Sequence, residues 1–464
     1  MTRARNKKDL TPEEKRAQAL VPPEEQPYEV PGNWRWVRVG AISSLHRGVS
    51  YKKSEEHKTC LPNDCLILRG GNVKEGYIEF GQDDIFVDRS LVSDEQIVRK
   101  NDVIIVASTG SAKVIGRTGI SITNYTDVAF GAFLMLLRPC NQSDPRYLGY
   151  FFQSSEYRNR IKILASGVNI NNIRADYITD TPCPLPPLSE QNRIIDRIER
   201  LFAALDTAKE KAQSVLASCE VRKAAILHKA FTGELTAEWR KNNSQSASWK
   251  TLQWNDFLIN VEAGKNWSAE ERPPQVDEFG VIKVSAVTWG TFNELASKTC
   301  LLAEQWNNNI QIHAGDFLFS RANTIQLVGN CVIVGNITKK LMLSDKILRF
   351  TFNKQVIPEY ILYFTRSDLY RKQIEQLASG NQDGMRNISQ KNFRLVEFPI
   401  PSLEEQKAIV SLLSNYLQKN ETIKTLVQCV IKRIDSLKHS ILARAFRSEL
   451  GTNDPAEPPA ELPV

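Results

Sequence analysis

Residues 188–231 read LSEQNRIIDRIERLFAALDTAKEKAQSVLASCEVRKAAILHKAF, and their apolar positions advance in steps of four and three along most of the stretch. Ile194, Ile198, Leu201, Leu205, Ala208, Ala212, Val215, Cys219 and Ile226 form one seam, interrupted by Arg222, with charged residues between them. Alternating steps of four and three mark a coiled-coil helix rather than an ordinary amphipathic one. The pattern recurs at Ile409, Leu413, Tyr416, Ile423, Val427, Val430, Ile434, Leu437 and Ile441, each 215 positions after its counterpart, with Asn420 in the place of Leu205. Two long helices of one register predict that each is the other's partner.

Working outward, the flanks repeat as well. Pro184-Leu-Pro-Pro-Leu-Ser-Glu-Gln191 is answered by Pro399-Ile-Pro-Ser-Leu-Glu-Glu-Gln406, and Ala225-Ile-Leu-His-Lys-Ala-Phe231 by Ser440-Ile-Leu-Ala-Arg-Ala-Phe446. Tyr147-Leu-Gly-Tyr-Phe151 is answered by Tyr360-Ile-Leu-Tyr-Phe364, Asp102 by Asp316, and Ala165-Ser-Gly167 by Ala378-Ser-Gly380, all at offsets between 213 and 215. Offsets this constant indicate a tandem duplication of a globular domain plus a helix. The expected plan is a mobile tail (1–29), a first domain (30–187), a long helix acting as spacer (188–240) and a linker (241–250). A second domain (251–400), a second long helix (401–450) and a mobile tail (451–464) follow. Each domain should be α+β. Apolar runs at 65–68, 77–80, 103–107, 118–122 and 132–137 alternate with Gly, Asn and Asp, as strands and turns do. A helix is expected from about 145 to 164, with Tyr147, Tyr150, Phe151, Tyr157 and Ile161 on one side as domain core rather than as base-stacking platforms. The prolines of 181–188 exclude a helix there, and Ser189 is the expected N-cap of the first long helix, with Asn192 three residues on.

Composition bounds the function. A chain of 464 residues, 42% hydrophobic and 24% charged, can bury several cores. Eight cysteines without a CxxC pair, no signal-like start and no apolar run of membrane-spanning length predict a reduced, cytoplasmic protein without a membrane anchor. The cysteines are expected to be inert core residues. His57, Cys60 and Cys65 fit no zinc module, so no metal is expected. A formal charge of +7 permits nucleic-acid binding without requiring it. No Asn-Pro-Pro-Tyr or Asp-Pro-Pro-Tyr tetrapeptide, S-adenosylmethionine loop or Walker A lysine is present. Gly110-Ser-Ala-Lys113 has the wrong spacing to Gly116 for a phosphate loop, and the five histidines suggest no triad. The chain is expected to perform no chemistry and to hold no cofactor itself.

Arg47-Gly-Val-Ser-Tyr-Lys-Lys53, the two Pro-x-Pro-x-Leu-x-Glu-Gln motifs, and Ala230-Phe-Thr-Gly-Glu-Leu-Thr-Ala-Glu-Trp-Arg240 are similar to those of type I restriction-modification specificity subunits, and the resemblance extends over residues 30–450. It implies two tandem target-recognition domains of mixed β/α structure, related by a pseudo-two-fold repeat. It also implies two long helices paired as an antiparallel coiled coil, serving as spacer and as docking surface for two methyltransferase (modification) subunits. Restriction subunits would join through those methyltransferases. S-adenosylmethionine, ATP and Mg2+ would sit on the partners, which would methylate adenine N6 or cleave. The second copy departs from the pattern at Arg447-Ser-Glu-Leu450, which lacks the Thr-x-x-Trp-Arg continuation.

The 32 helical rises from Ile194 to Ile226 span roughly 48 Å, or about 14 base pairs of duplex, so two differing half-sites along one double-stranded DNA are expected. Arg and Lys match guanine edges and Asn and Gln match adenine, while Lys, Arg, Ser and Tyr hold phosphates. The first domain offers Arg47, Tyr51, Lys52, Lys53, Arg69, Asn72, Ser108, Thr109, Ser111 and Lys113, then Asn169, Asn171, Asn172 and Arg174. The second offers Lys265, Lys283, Ser285, Arg321, Asn323 and Gln326, then Asn381, Gln382, Arg386 and Asn387. Against this stand a non-catalytic scaffold whose globular ends bind protein, and a nonspecific DNA-binding protein with a coiled-coil spacer. Loop residues that differ between matching halves favour sequence reading, which needs such asymmetry.

Overall fold

A computed structural model describes residues 11–81, 84–111, 113–140, 143–165, 172–243, 249–288, 290–382 and 385–462. By contact the chain divides into two compact units, Met1–Lys211 with Val430–Val464, and Ala212–Cys429.

In the first unit a five-stranded sheet runs in the order Ser43–Arg47, Leu134–Pro139, Val103–Val106, Thr118–Ile120, Gly76–Tyr77. The central run Val-Ile-Ile-Val is apolar throughout because both faces of its strand are covered. Val103 and Ile105 enter one core, with Tyr147, Phe151 and Tyr157, while Ile104 and Val106 enter another, with Leu68, Val128 and Phe130 of a smaller sheet. That smaller sheet orders Ile85–Asp88, Asp64–Leu68 and Val128–Phe130, its last pair parallel.

The second unit repeats this topology. Leu258–Ala263, Ile347–Phe352, Phe317–Ser320 and Cys331–Ile333 follow the order of the first four strands above. Ser297–Cys300, Phe279–Ile282 and Lys340–Met342 repeat the small sheet, again with an antiparallel and a parallel pair. The duplication is therefore one of fold as well as of sequence.

Several local expectations change. The helix expected from 145 to 164 is two, Pro145–Phe151 and Ser155–Ala165, since the Ser154 hydroxyl accepts from the Tyr157 amide at 3.4 Å and starts the second. Ser367 repeats the device at 3.3 Å from the Tyr370 amide. The strand expected at 77–80 shrinks to Gly76–Tyr77. The proline stretch forms a strand, Pro182–Leu185, on Arg35–Arg38, a two-stranded ribbon in which missing donors are tolerated. The first long helix begins at Leu188, with the Gln191 amide donating to Pro187 O at 2.9 Å, so Ser189 lies inside its first turn rather than capping it.

The two long helices, Leu188–Phe231 and Leu403–Phe446, have 44 residues each. In the first unit Lys438 reaches Asp206 at 2.5 Å and Lys209 reaches Asp435 at 2.6 Å. In the second Lys424 reaches Glu220 at 2.6 Å. Partners that advance along one helix retreat along the other, which is antiparallel pairing. Ile194 and Ile198 are buried in the first unit's core, Ile409 and Leu413 in the second's. The seam is not closed throughout, however: Val215, Tyr416, Ile423, Val430 and Leu437 are between 37% and 50% exposed. A pair of helices shields one narrow stripe, and a straight helix drifts off a strict 3.5-residue seam. The two polar interruptions meet instead. Asn420, buried, donates to Cys219 O at 3.0 Å and accepts from Arg222 at 3.4 Å.

The described parts of both expected tails are docked on the first unit. Pro12–Ala19 is a helix capped reciprocally by Thr11 and Glu14, and the Val21 amide donates to Trp36 O at 3.0 Å. At the other end the Ala460 amide donates to Asn33 O at 3.0 Å, and Arg193 grips Glu457 with two bonds of 2.7 and 2.8 Å. Tails poor in apolar residues carry no periodic signal, and here backbone hydrogen bonds hold them together with a few apolar anchors, Leu20, Ala460 and Leu462, packed against the first unit's core. Cys65, Cys183, Cys219, Cys300 and Cys331 are buried as expected, and burial pushes the Cys331 thiol up to about 12. Cys60 and Cys429, by contrast, are exposed.

Candidate nucleic-acid interface

The candidate residues of the first domain lie far apart in sequence, and one short turn gathers their segments. In Gly131-Ala132-Phe133 the Gly131 amide donates to Leu68 O at 2.9 Å, next to Arg69. The Ala132 amide donates to Val49 O at 2.9 Å, within the Arg47–Lys53 stretch, and Phe133 O accepts from the amides of Ala107 and Ser108, both at 3.0 Å. Ser108 in turn bridges to Asn172, and the Ile173 amide donates to Ala107 O at 2.8 Å. Four candidate segments therefore meet at a turn that no sequence motif marks. Gly48 is required where the first of them passes, because a Cβ there would lie 2.1 Å from Gly131 O.

The second unit builds the same place. The Arg321 amide donates to Lys346 O at 3.0 Å and the Ile388 amide to Arg321 O at 2.9 Å, while Asn323 pairs with Arg386. Gly264, beside Lys265, would set a Cβ 1.9 Å from Leu343 O. Lys346 stands where the first unit has Phe133. Neither residue was singled out in the sequence, since each sits in a turn beside a strong apolar strand. The one signal available was an apolar residue replaced by a cation within a repeat of constant offset.

The structure sorts the remaining candidates. Arg47, Lys52, Lys53, Ser111, Lys113 and Asn172 are exposed, whereas Ser108 and Thr109 are half-buried. Asn72 is buried and shapes its own loop: its amide nitrogen donates to Glu79 O at 3.0 Å and Asp84 at 2.7 Å, and its oxygen accepts from the Arg69 amide at 2.8 Å. Tyr51 packs under its loop, where burial raises its hydroxyl pKa. Arg174 is held by Asp176 at 2.6 Å. Lys283 pairs with Glu271 at 2.7 Å, and together with Lys298 pulls that carboxyl down to about 2. Lys265, Ser285, Gln326 and Asn387 are exposed, and Arg321 and Arg386 half-buried, Arg386 also bonding Gly380 O. Asn323 donates to Thr288 at 3.2 Å. Asn169 and Asn171 lie outside the described residues, as do the side chains of Asn381 and Gln382. Among the described residues no group of three or more His, Cys, Asp or Glu is placed to hold a metal, and no helix is long and apolar enough to cross a membrane.

The Pro-x-Pro-x-Leu-x-Glu-Gln motifs are clamps, not contacts for a ligand. Glu190, fully buried, accepts from Trp34 Nε1 at 2.8 Å and from the Thr452 hydroxyl at 3.3 Å. Glu405 accepts from Trp249 Nε1 at 3.2 Å and the Thr236 hydroxyl at 2.6 Å, and pairs with Arg240. Gln191 and Gln406 accept from the amides of Asp144 (2.8 Å) and Ile357 (2.9 Å), joining each helix start to its domain. Thr452 thus takes Thr236's place after the second helix, although the Trp-Arg continuation is missing there.

Residues 31–217 and 249–430 match the type I restriction modification DNA specificity domain. The type I restriction enzyme EcoKI specificity subunit of Escherichia coli (strain K12) is 30% identical over 436 residues, covering 93% of this chain and 92% of that one. The StySPI specificity subunit of Salmonella potsdam is 27% identical with the same coverages. Of solved structures, the HsdS subunit from Thermoanaerobacter tengcongensis aligns with a TM-score of 0.56 at 17% identity, over 92% of this chain and 100% of that one. A chain from a study of the type I R-M system's complex assembly and conformational transition aligns at 0.66 and 17% identity, over 91% and 100%. These two likenesses concern the fold. With two copies of the domain matched across most of its length, the chain belongs to the type I restriction-modification DNA specificity family.

Proposed function

We propose that this chain is the non-catalytic specificity subunit of a type I restriction-modification complex and reads a bipartite, asymmetric target in double-stranded DNA. Residues 30–187 would be one target-recognition domain and 251–400 the other, with 188–240 and 401–450 as spacer. The observation that carries the reading is the repeated meeting of loop segments: a matching backbone arrangement bears Phe133, Ser108 and Asn172 in one half and Lys346, Ala322 and Asn387 at the equivalent places in the other, so two of the three side chains differ. A shared frame with different side chains suits two half-sites of different sequence. Arg47, Lys52, Lys53, Lys113 and Lys265 are the proposed phosphate holders, with Arg69, Ser108, Asn172, Arg321, Asn323, Gln326, Arg386 and Asn387 closer to bases. The partly exposed apolar residues of the helices, among them Tyr416, Ile423, Val430 and Leu437, suit docking of two methyltransferase subunits. Those partners would carry S-adenosylmethionine, and ATP and Mg2+ would act on restriction subunits joined through them in a cytoplasmic complex.

The test is co-expression with the cognate methyltransferase subunit and genome-wide mapping of methylated adenines. One bipartite motif with a fixed gap is the expected outcome. An assembled complex that methylates nothing would turn the reading toward a scaffold.

A further inference from the structure

Given the DNA-reading role proposed above, on which this step rests, we propose that Phe133 reads the methyl group of a thymine in the half-site of the first unit. Phe133 is 69% exposed, at the meeting point of the candidate segments. Leaving a Phe side chain in water forgoes most of the gain of burying it, and the turn does not allow it to fold inward. Both Gly131 and Ala132 amides are committed to neighbouring segments, Phe133 O holds two more amides, and the next side chain, Leu134, is buried in the core. The ring is thus presented on a rigid support.

Its surroundings identify the occupant. The Ser108 amide bonds Phe133 O, Asn172 bridges to Ser108, and Val49, whose carbonyl takes the Ala132 amide, leads into the exposed Lys52 and Lys53, so the segments that meet at this turn carry hydrogen-bonding and cationic residues. Such a setting suits a DNA groove better than an apolar protein surface. In the major groove the thymine 5-methyl is the apolar feature of the base edges, and Phe is among the side chains that contact it. The second unit holds the same backbone bond at 3.0 Å but presents Lys346, which suits a phosphate or a guanine instead. The repeat therefore keeps this backbone bond and exchanges the side chain beside it.

The experiment uses the complex assembled with its methyltransferase, and duplexes carrying the mapped target in which each thymine is replaced in turn by uracil, which removes only the methyl group. Affinity is read by fluorescence anisotropy at fixed salt. The wild-type complex should bind about fivefold more weakly when one particular thymine of the first half-site is changed. Phe133→Ala should weaken binding to the thymine duplex by a similar factor and be indifferent to uracil there. Phe133→Leu, which retains an apolar head, should recover part of the discrimination. Uracil without effect anywhere in the first half-site, or an effect undiminished in Phe133→Ala, overturns the proposal while leaving DNA reading intact. A complex that binds target and unrelated DNA equally overturns the DNA-reading role as well.

Discussion

The two clamp glutamates occupy equivalent positions but differ in electrostatic setting, and the same substitution should separate them. Glu405 is 3% exposed and faces Arg240, whose side chain is 15% exposed. Glu190 is fully buried with only neutral donors on its oxygens, because Arg193, one turn on, is occupied by Glu457. Glu405→Gln leaves a largely buried guanidinium without its counter-charge, and breaking such a pair costs on the order of 3 kcal/mol. Glu190→Gln removes a carboxylate that burial already disfavours. Desolvation holds the Glu190 pKa above its ordinary value of 4.5. A carboxyl raised in this way contributes stability that is complete below its unfolded pKa and is lost as pH rises through the folded one. A glutamine keeps an acceptor for Trp34 and has no charge to desolvate. Its cost at pH 7.5 should stay within about 1 kcal/mol of zero, and the decline in stability above pH 4.5 should flatten. Urea unfolding followed by tryptophan fluorescence at pH 5 and pH 7.5 measures both, since Trp34 and Trp249 donate directly to the two carboxylates. Equal losses for the two variants at pH 7.5, or a loss below about 1 kcal/mol for Glu405→Gln, would refute the reasoning.

Ser448 has φ +60°, where its counterpart Gly233 has φ +81°. Ser448→Gly should therefore stabilise the end of the second long helix by about 0.5–1 kcal/mol, read as a higher urea midpoint. Asn420→Leu should stabilise the second unit by about 1 kcal/mol, read as a higher urea midpoint, while weakening register selection; a lower midpoint would count against Asn420 as a register lock. Lys52→Ala should weaken binding to every DNA sequence alike and lower the slope of log K against log salt by about 1, measured by titration at several salt concentrations. A changed base preference would mean that Lys52 touches a base.

The duplication, the long helices, their antiparallel pairing and the aromatic cores around Tyr147 and Tyr360 were legible in the sequence. Periodicity and a constant offset are one-dimensional properties, and a helix face or a repeat states them directly. Mixed α+β domains followed from turn residues between apolar runs, though the break at Ser154 was hidden because the helical spacing of Tyr147, Phe151, Tyr157 and Ile161 runs on across it, and a mid-helix serine that turns its hydroxyl outward looks the same in sequence as a cap. The docking of Ala460 on Asn33 and the meeting of Arg222 with Asn420 depend on partners more than a hundred residues away, and the openness of Val215 and Leu437 on the narrowness of a two-helix interface. The same holds for the candidate interface. Sequence supplied residue types suited to phosphates and bases, but polar loop residues look alike whether they hold a turn, as Asn72 does, or stand free on the surface, as Lys53 does. Only the folded backbone, by drawing Val49, Leu68, Ala107 and Asn172 to one turn, brought Phe133 and Lys346 forward, because proximity in space is set by strand pairing and not by order along the chain.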